Sequence, residues 1–213
     1  MLDLTFERKY RDAGYSLICG VDEAGRGPLA GPVVAGACIL PESLVISGLD
    51  DSKKLTEKKR DALFDVIREE AVAYAVGMAT PEEIDTYNIL EASLLAMRRA
   101  ISALSLQPDL LLIDGNISRG FDRPAHAVIG GDGICQSIAA ASILAKVTRD
   151  RMCAELDTAY PKYGFAKHKG YPTKAHKLAV YRHGPCPEHR RSFLSFLERD
   201  REKLAAWAAE DTE

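Results

Sequence analysis

Residues 19–32 read Cys19-Gly20-Val21-Asp22-Glu23-Ala24-Gly25-Arg26-Gly27-Pro28-Leu29-Ala30-Gly31-Pro32. A short apolar run ends in two adjacent acids, Asp22 and Glu23, and a loop rich in glycine and proline follows at once. Such a loop is neither helix nor strand, and it lets the backbone come close to a ligand. Because neighbouring carboxylates repel each other, the arrangement favours a site for a cation or a proton. Taken without its context, the Asp-Glu pair would also fit an ordinary solvated turn.

The composition indicates one hydrophobic core. The chain has 213 residues, of which 46% are hydrophobic, enough for a single domain with or without a helical appendage. Charges at the N-terminus do not fit a signal peptide, and no run approaches the roughly 18 apolar residues of a membrane span. We therefore expect a cytoplasmic protein without a membrane partner.

The cysteines predict neither disulfides nor a zinc site. They are odd in number and far apart, and no Cys-x-x-Cys pair occurs. We expect reduced thiols that act as small apolar residues at all five positions, which are Cys19, Cys38, Cys135, Cys153 and Cys186.

A basic segment lies towards the C-terminus, although the net charge of the chain is −3. Between Lys162 and Arg191 the chain carries eight lysines and arginines against one acid, Glu188. The interleaved rings are His168, His176, His183, His189, Tyr163, Phe165, Tyr171 and Tyr181. This pattern fits a surface that neutralises phosphates and packs on sugars or bases, and it fits equally a solvated basic helical face. Zinc is discounted, because no two of these histidines have a tight ligand spacing with a cysteine.

Short apolar runs alternate with amphipathic segments, which is typical of an α/β protein. The apolar runs predict five strands, at residues 16–21, 33–40, 71–78, 110–113 and 125–129. The helical patterns predict a helix over 54–70 capped by Ser52 or Thr56, a short and a longer helix between Thr80 and Pro108, and an alanine-rich helix over 134–159. Residues 205–213 are expected to form a fraying polar tail.

Two more acids stand after predicted strands. Asp114 ends an apolar run, and Asp132 lies in a glycine-rich turn before the alanine-rich helix. Asp132 taken alone would fit a helix N-cap. Four acids without histidine or cysteine favour a hard divalent cation, Mg or Mn rather than Zn. Two such ions about 4 Å apart can activate a water and stabilise the leaving oxygen of a phosphodiester.

Seven segments in order along the chain resemble bacterial type 2 ribonuclease H, also called ribonuclease HII. They are residues 21–33, 51–55, 113–115, 131–132, 138–150, 168–173 and 184–193. The resemblance implies a ribonuclease H-like fold, in which a mixed five-stranded sheet is flanked by helices and a helical region ends the chain. It further implies a single domain over 1–213, with a catalytic α/β core at about 14–160 and a basic, helical substrate-binding region at about 161–205.

The resemblance implies an endonuclease that cuts RNA paired with DNA and also cuts 5′ of single ribonucleotides embedded in duplex DNA. Its catalytic and metal-binding carboxylates match Asp22, Glu23, Asp114 and Asp132, the acids already singled out by position. Hydrolysis with two Mg or Mn ions would leave 3′-hydroxyl and 5′-phosphate ends. Such an enzyme would support the removal of ribonucleotides from DNA.

The resemblance also implies substrate contacts. Gly25, Arg26 and Gly27 match an element whose backbone reaches the ribose 2′-hydroxyl, and Arg26 would help to fix a phosphate. Tyr171 matches a tyrosine that packs on the sugar at the RNA-to-DNA junction. The alternative for Tyr171 is a half-buried core tyrosine.

Two lysines and two departures from the family pattern complete the resemblance. Lys53 is expected near substrate phosphates, and Lys146 either contacts substrate or simply pairs with Asp150, four residues later on a helix. Gly130 stands where a lysine is common, which would weaken a phosphate contact, and Pro172 stands where glycine is common, which stiffens the loop. Neither departure removes a predicted catalytic acid.

Two functions of other classes explain less of the chain. A non-catalytic nucleic-acid binder would account for the basic segment, but its four acids would repel phosphate. A magnesium-dependent phosphatase for small molecules would account for the acids and not for the basic, aromatic segment. The sequence leaves open the choice between Mg and Mn, and the preference for single ribonucleotides or long hybrids. A sliding-clamp motif is not recognisable in residues 197–213, and a monomer is expected.

Overall fold

The computed structural model of the protein describes residues 2–210. Its strands are β1 (Ile18–Ala24), β2 (Val33–Ile39), β3 (Ala73–Ala79), β4 (Leu110–Asp114) and β5 (Ala125–Val128). They form one sheet in the order β3-β2-β1-β4-β5. β1 pairs antiparallel with β2 and parallel with β4, so the mixed five-stranded sheet is confirmed.

The helices within the described residues are α1 (Thr5–Arg11), α2 (Glu57–Glu70), α3 (Pro81–Ser102), α4 (Gln136–Ala159), α5 (Phe165–His168), α6 (Lys174–His183), α7 (Phe196–Arg199) and α8 (Arg201–Glu210). Thr56 caps α2 by accepting a hydrogen bond from the Lys59 N–H. Thr80 and Glu83 form the predicted capping box of α3. Asn88 interrupts α3 with φ 67° and ψ 166°, so the predicted short and longer helices are two arms of one kinked element.

Helices cover both faces of the sheet. α3 packs on the face that carries Val21, and α2 and α4 pack on the other face. The α4 backbone approaches the sheet closely because Gly20 and Gly36 have no side chain. A Cβ at Gly20 would overlap the Ser137 carbonyl carbon, and one at Gly36 would overlap the Ala141 carbonyl oxygen. This close approach brings the side chains of α4 to the end of β1.

β1 is longer than the sequence predicts. We expect Asp22 to close this strand, whereas β1 continues to Ala24. The reason is the ladder with β2, which still pairs Ala24 with Val34, while the parallel pairing with β4 ends at Val21 opposite Ile113. Asp22 is therefore held firmly on the β2 side, at the point where β1 and β4 separate.

The C-terminal residues form helices rather than a fraying tail. The tail predicted over 205–213 is wrong for its described part, because α8 runs to Glu210. Trp207 packs against the apolar cluster of the C-terminal helices, and the Lys174 ammonium lies 2.9 Å from the Glu210 carboxylate. These contacts attach α8 to α6. Residues 211–213 lie outside the described part of the chain.

The cysteines are free thiols in the interior. All five are buried and unpaired with one another, as the sequence predicts. Burial raises the pKa of Cys19 to about 12, which keeps this thiol protonated. Between residues 2 and 210, no helix combines the length and apolar character needed to cross a bilayer.

Candidate active site

Two neighbouring strands contribute the first two carboxylates of the site. β1 and β4 run parallel with Val21 opposite Ile113, so Asp22 and Asp114, the next residue on each strand, lie side by side on one face. This face is the one that α4 covers, because Gly20, two residues before Asp22, touches α4. Asp22 is only 4% exposed, and Asp114 is half-buried.

Asp132 joins these two acids from a 3-10 turn, Gly131–Gly133, after β5. The Gly131 N–H donates to Asp114 Oδ1 at 2.7 Å, which ties the turn to β4. One carboxylate oxygen from each of the three aspartates lies within 4.8 Å of the others. The N-cap alternative for Asp132 is wrong, because the N-cap residue of α4 is Cys135.

Glu23 lies beside this aspartate triad and not within it. Successive residues of a strand point to opposite faces, so Glu23 leaves the face that carries Asp22. Its Oε1 lies 3.2 Å from Nη1 of Arg26. Glu23 nevertheless lines the same cleft as Asp22, so the fourth predicted acid is adjacent to the three that converge.

Burial and the charges of neighbouring carboxylates make Asp22, Glu23 and Asp132 harder to ionise. Burial raises the pKa of Asp22 well above its usual value, and the charges of Glu23 and Asp114 raise it further. Burial likewise raises the pKa of Glu23. It also raises the pKa of Asp132, against the opposing charge of Lys53. A bound cation would relieve this repulsion, because it favours the ionised form of every carboxyl group around it.

The donor set fits a hard divalent cation. Within the described part of the chain, the aspartate triad is the one group of three or more carboxylate, histidine or cysteine ligands close enough to share an ion. All three donors are carboxylate oxygens, which Mg²⁺ and Mn²⁺ prefer. Mg²⁺ usually keeps several waters and is bound by few carboxylates together with substrate phosphates. The triad therefore suits a metal that shares its coordination with a phosphodiester.

A cleft of about 240 Å³ opens beside the acids. Of the ten site residues predicted from the sequence, only Asp132 is not part of its wall, and Asp132 reaches it through the triad. The others line the cleft together: Asp22, Glu23, Gly25, Arg26, Gly27, Lys53, Asp114, Lys146 and Tyr171.

Tyr171 faces the glycine-rich loop at residues 25–32, the glycine loop, across this cleft. Its side chain is 45% exposed, so the core-tyrosine alternative is wrong. A Cβ at Gly27 would lie 3.5 Å from the Tyr171 ring. The Leu29 N–H donates to the Gly170 carbonyl at 2.8 Å, which joins the two loops. Gly170 has φ 80°, and a Cβ there would lie 2.8 Å from the Ala30 carbonyl oxygen, so this contact requires glycine.

The two predicted lysines both have acidic partners. Lys53 Nζ lies 3.3 Å from Asp132 Oδ2, and the Lys53 side chain is 75% exposed. Lys146 Nζ lies 2.7 Å from Asp150 Oδ1, so the helix pairing considered from the sequence is present. Arg60 lies 3.6 Å from the other oxygen of Asp150. These contacts hold Lys146 at the wall of the cleft.

Several rings of the basic segment are buried, so the predicted binding surface is wrong for them. Tyr163, Phe165, His176 and His189 are each less than 10% exposed and pack against one another. The Nε2 atoms of His176 and His189 lie 3.1 Å apart. Burial lowers the pKa of both histidines to about 4, so both are neutral at pH 7. The exposed members of the segment are Lys162, Lys167, Lys174, Tyr171, Tyr181, Arg182, His183 and Arg191.

Two buried arginines are functional candidates that sequence reasoning missed. The sequence places Arg190 among the phosphate-neutralising charges and assigns no role to Arg149. Both side chains are buried and donate to carbonyl oxygens of the loop between Gly25 and Pro32. No local pattern distinguishes Arg190 from Arg191, its exposed neighbour. The one signal that could have found both arginines is their place in the segments 138–150 and 184–193, which resemble the family.

Comparison with known proteins agrees with this site. Residues 19–196 match the family model described as ribonuclease HII. The chain is 62% identical over 177 residues to ribonuclease HII of Paracidovorax citrulli (strain AAC00-1), covering 83% of this chain and 74% of the relative. It is 58% identical over 181 residues to ribonuclease HII of Shewanella amazonensis, covering 85% and 88%. The ribonuclease H2 structure from Pyrococcus horikoshii OT3 superposes with a TM-score of 0.72 at 29% identity, covering 89% of this chain and 99% of that one. With the matched segment spanning both the sheet and the aspartate triad, the chain belongs to the ribonuclease HII family and has its ribonuclease H-like fold.

Proposed function

We propose that the protein hydrolyses the RNA strand of RNA–DNA hybrids and also cuts duplex DNA 5′ of a single embedded ribonucleotide. Ribonuclease HII enzymes are nucleases of the ribonuclease H type, and the proposal adds the substrate and the position of the cut. The observation that carries it is the triad of Asp22, Asp114 and Asp132, whose oxygens lie within 4.8 Å of one another. The triad adjoins a cleft that Tyr171 and the loop at 25–27 also line.

In this proposal Asp22, Asp114 and Asp132 would hold two Mg²⁺ or Mn²⁺ ions, which would supply an activated water and a counter-charge for the departing 3′-oxygen. Glu23, at the edge of the triad, adds a fourth carboxylate to this machinery. Lys53 lies at Asp132 with most of its side chain exposed, so its ammonium is available to a substrate phosphate. The products are a 3′-hydroxyl and a 5′-phosphate.

Recognition of the ribonucleotide is proposed for the opposite part of the cleft. The backbone of Gly25, Arg26 and Gly27 reads the 2′-hydroxyl, which is the one group that distinguishes RNA from DNA at a given sugar. The exposed ring of Tyr171 packs on the neighbouring sugar. Lys146 stands at the wall between these groups and the acids, where its positive charge favours the phosphate backbone.

We further propose that residues 1–213 form one domain, in which one region carries out catalysis and another binds the substrate. The α/β core at about 14–160 contains the acids, and the helical region at about 161–205 contacts the duplex with its exposed lysines and arginines. A monomeric state, a cytoplasmic location and a role in ribonucleotide removal stay predictions.

The direct test uses purified protein with Mg²⁺ or Mn²⁺ and three labelled duplexes: all-DNA, DNA with one ribonucleotide, and a long RNA–DNA hybrid. We expect a single cut just 5′ of the ribonucleotide, multiple cuts in the hybrid, and none in all-DNA. Asp114→Asn should abolish cutting, and Asp12→Asn, a surface carboxylate outside the site, should not. Cutting of all-DNA, or binding of the ribonucleotide duplex without any cut, would contradict the proposal.

A further inference from the structure

Two guanidinium groups lie beneath the glycine loop. Arg149 and Arg190 are 1% and 0% exposed. In the part of the chain that the structure describes, all their side-chain hydrogen bonds go to main-chain carbonyl oxygens. Burial lowers the pKa of Arg190 to about 9, and the charge of Arg149 adds to this effect, so Arg190 remains cationic at neutral pH. Within the described residues no carboxylate hydrogen-bonds to either guanidinium, and the charge of Asp85 opposes the effect of burial on Arg190 only in part. A buried cation in such surroundings is unfavourable for folding, which points to a role at the site.

All five side-chain N–H donors of Arg190 bind carbonyl oxygens of the glycine loop. Its Nη2 donates to the Gly25 carbonyl at 2.6 Å and to the Gly31 carbonyl at 2.8 Å. Its Nη1 donates to Arg26 at 3.0 Å and to Pro28 at 2.8 Å, and its Nε donates to Gly31 at 3.0 Å. A guanidinium has five N–H donors in a rigid plane, and five hydrogen bonds are present. The loop is therefore wrapped around Arg190 with its carbonyls pointing inward.

This wrapping determines where the N–H groups of the loop point. In a planar trans peptide the C=O and the N–H point in opposite directions. Since Arg190 holds the carbonyls of Gly25 and Arg26, the N–H groups of Arg26 and Gly27 point away from it. Gly25, Arg26 and Gly27 line the cleft beside the aspartate triad. Successive N–H groups with this orientation form a site for an anionic or hydroxyl oxygen.

His189, the residue before Arg190, is linked through His176 to the turn that carries Tyr171. His189 Nδ1 accepts from the Cys186 N–H at 3.1 Å, so its Nε2 carries the proton that His176 Nε2 accepts at 3.1 Å. The remaining nitrogen of His176, Nδ1, then donates to the Tyr171 carbonyl at 3.0 Å. The segment at 189–190 thus holds the glycine loop with one side chain and the Tyr171 turn with the other.

We propose that Arg190 is a positioning residue for ribonucleotide discrimination: it turns the amide groups of Arg26 and Gly27 towards the sugar and places a buried positive charge beneath the adjoining phosphate. The proposal rests on the proposed function, because it concerns the same cleft. The competing explanation is that Arg190 stabilises the fold and has no effect on which sugar is preferred. The positioning role predicts that substitution of Arg190 lowers the ratio of the affinities for the ribose and deoxyribose duplexes. A purely stabilising role predicts an unchanged ratio, because loss of folded protein reduces binding of both duplexes equally.

The test compares two duplexes that differ in one 2′-hydroxyl. Both are titrated by fluorescence anisotropy in Mg²⁺ against Asp114→Asn protein, which is expected to bind without cutting. Arg190→Lys keeps the charge but loses the planar fork. Arg190→Gln removes the buried charge, so it is expected to remain folded if the lysine variant does not. Arg8→Lys is the matched control, because it makes the same change at an exposed arginine on α1, outside both the cleft and residues 161–205. Thermal melting and circular dichroism establish that each protein is folded.

We expect either folded Arg190 variant to lose about tenfold in the ribose-to-deoxyribose affinity ratio, roughly the effect of one hydrogen bond. Arg8→Lys should keep the ratio of the parent. An unchanged ratio in a folded Arg190 variant overturns this inference and leaves the proposed function standing. A ratio of one in the parent also overturns it, since no discrimination would exist to be set, and that result would count against the proposed function as well.

Discussion

Replacing Asp114 by asparagine should make the metal-free protein more stable while abolishing its activity. The carboxylate of Asp114 lies among Asp22 and Asp132, with oxygens within 4.8 Å of one another. Asparagine keeps the shape and the oxygen that accepts from the Gly131 N–H at 2.7 Å. The substitution therefore removes a charge and leaves the local hydrogen bond in place.

The size of the effect follows from the separation of the charges. At 4.8 Å, two unit charges repel by about 3.5 kcal/mol at an effective dielectric constant of about 20 and by about 1 kcal/mol in water. Partial protonation of Asp22, whose pKa is raised, and the pairing of Asp132 with Lys53 reduce this repulsion. We expect a gain of about 2 kcal/mol in the free energy of unfolding, or about 4–8 °C in Tm for a chain of this size.

The assay is urea and thermal unfolding at neutral pH, in EDTA and in saturating Mg²⁺ or Mn²⁺. Metal at about 100 times its Kd should stabilise the parent by about 2.7 kcal/mol, and Asp114→Asn should lose most of that gain. Asp12→Asn, an exposed aspartate, should stay within about 0.5 kcal/mol of the parent in both conditions. If Asp114→Asn is no more stable than the parent in EDTA, or keeps the full stabilisation by metal, the electrostatic reasoning is wrong.

Three further predictions concern packing, recognition and pH. Gly36→Ala should destabilise the protein by about 3 kcal/mol or prevent folding, because the new Cβ would overlap the Ala141 carbonyl; a Tm within about 2 °C of the parent would contradict this. Tyr171→Ala should lower kcat/KM for the single-ribonucleotide duplex by about 10–100-fold, as expected for the loss of one base or sugar stacking contact, with little change in Tm because the ring is 45% exposed; unchanged cleavage kinetics would rule out the contact. The contribution of His176 and His189 to the free energy of unfolding should fall as the pH falls from 6.5 to about 4, because both histidines take up protons in the unfolded chain and stay neutral in the folded one. The loss is roughly 3 kcal/mol per histidine, measurable by urea denaturation across this range, and His176→Phe should flatten the profile; an identical profile in that variant would refute the assignment.

Local sequence was sufficient for the elements that contain the acids. The apolar run before Asp114 has the length and composition of a buried strand, and the glycines after Glu23 mark a close-approach loop. Thr80 and Glu83 identify the start of a helix by a hydrogen-bond pattern within four residues. In each case the physical cause acts between neighbours in the chain, so the sequence predicts the outcome.

Other features depend on partners far away in the chain. The length of β1 follows from its ladder with β2, which extends past Asp22. The helix α8 forms because Leu204 is buried and Trp207 packs against the apolar cluster of the C-terminal helices. Arg190 is buried because the loop at 25–31 closes over it, about 160 residues away along the chain. A charged residue in a basic segment is expected to be solvated, and only the tertiary structure reverses that expectation.

The close seating of α4 on the sheet limits how the length of this chain can change. Ser137 and Ala141 touch Gly20 and Gly36, and Lys146, further along the same helix, reaches the cleft. One residue inserted between Ala141 and Lys146 would rotate the rest of α4 by about 100° and shift it by about 1.5 Å along the helix axis. This one change would move Lys146 out of the cleft and break the hydrogen bonds between Arg149 and the glycine loop. Insertions and deletions among relatives should therefore cluster in surface connections such as the one between β4 and β5, and should be absent from the first four turns of α4.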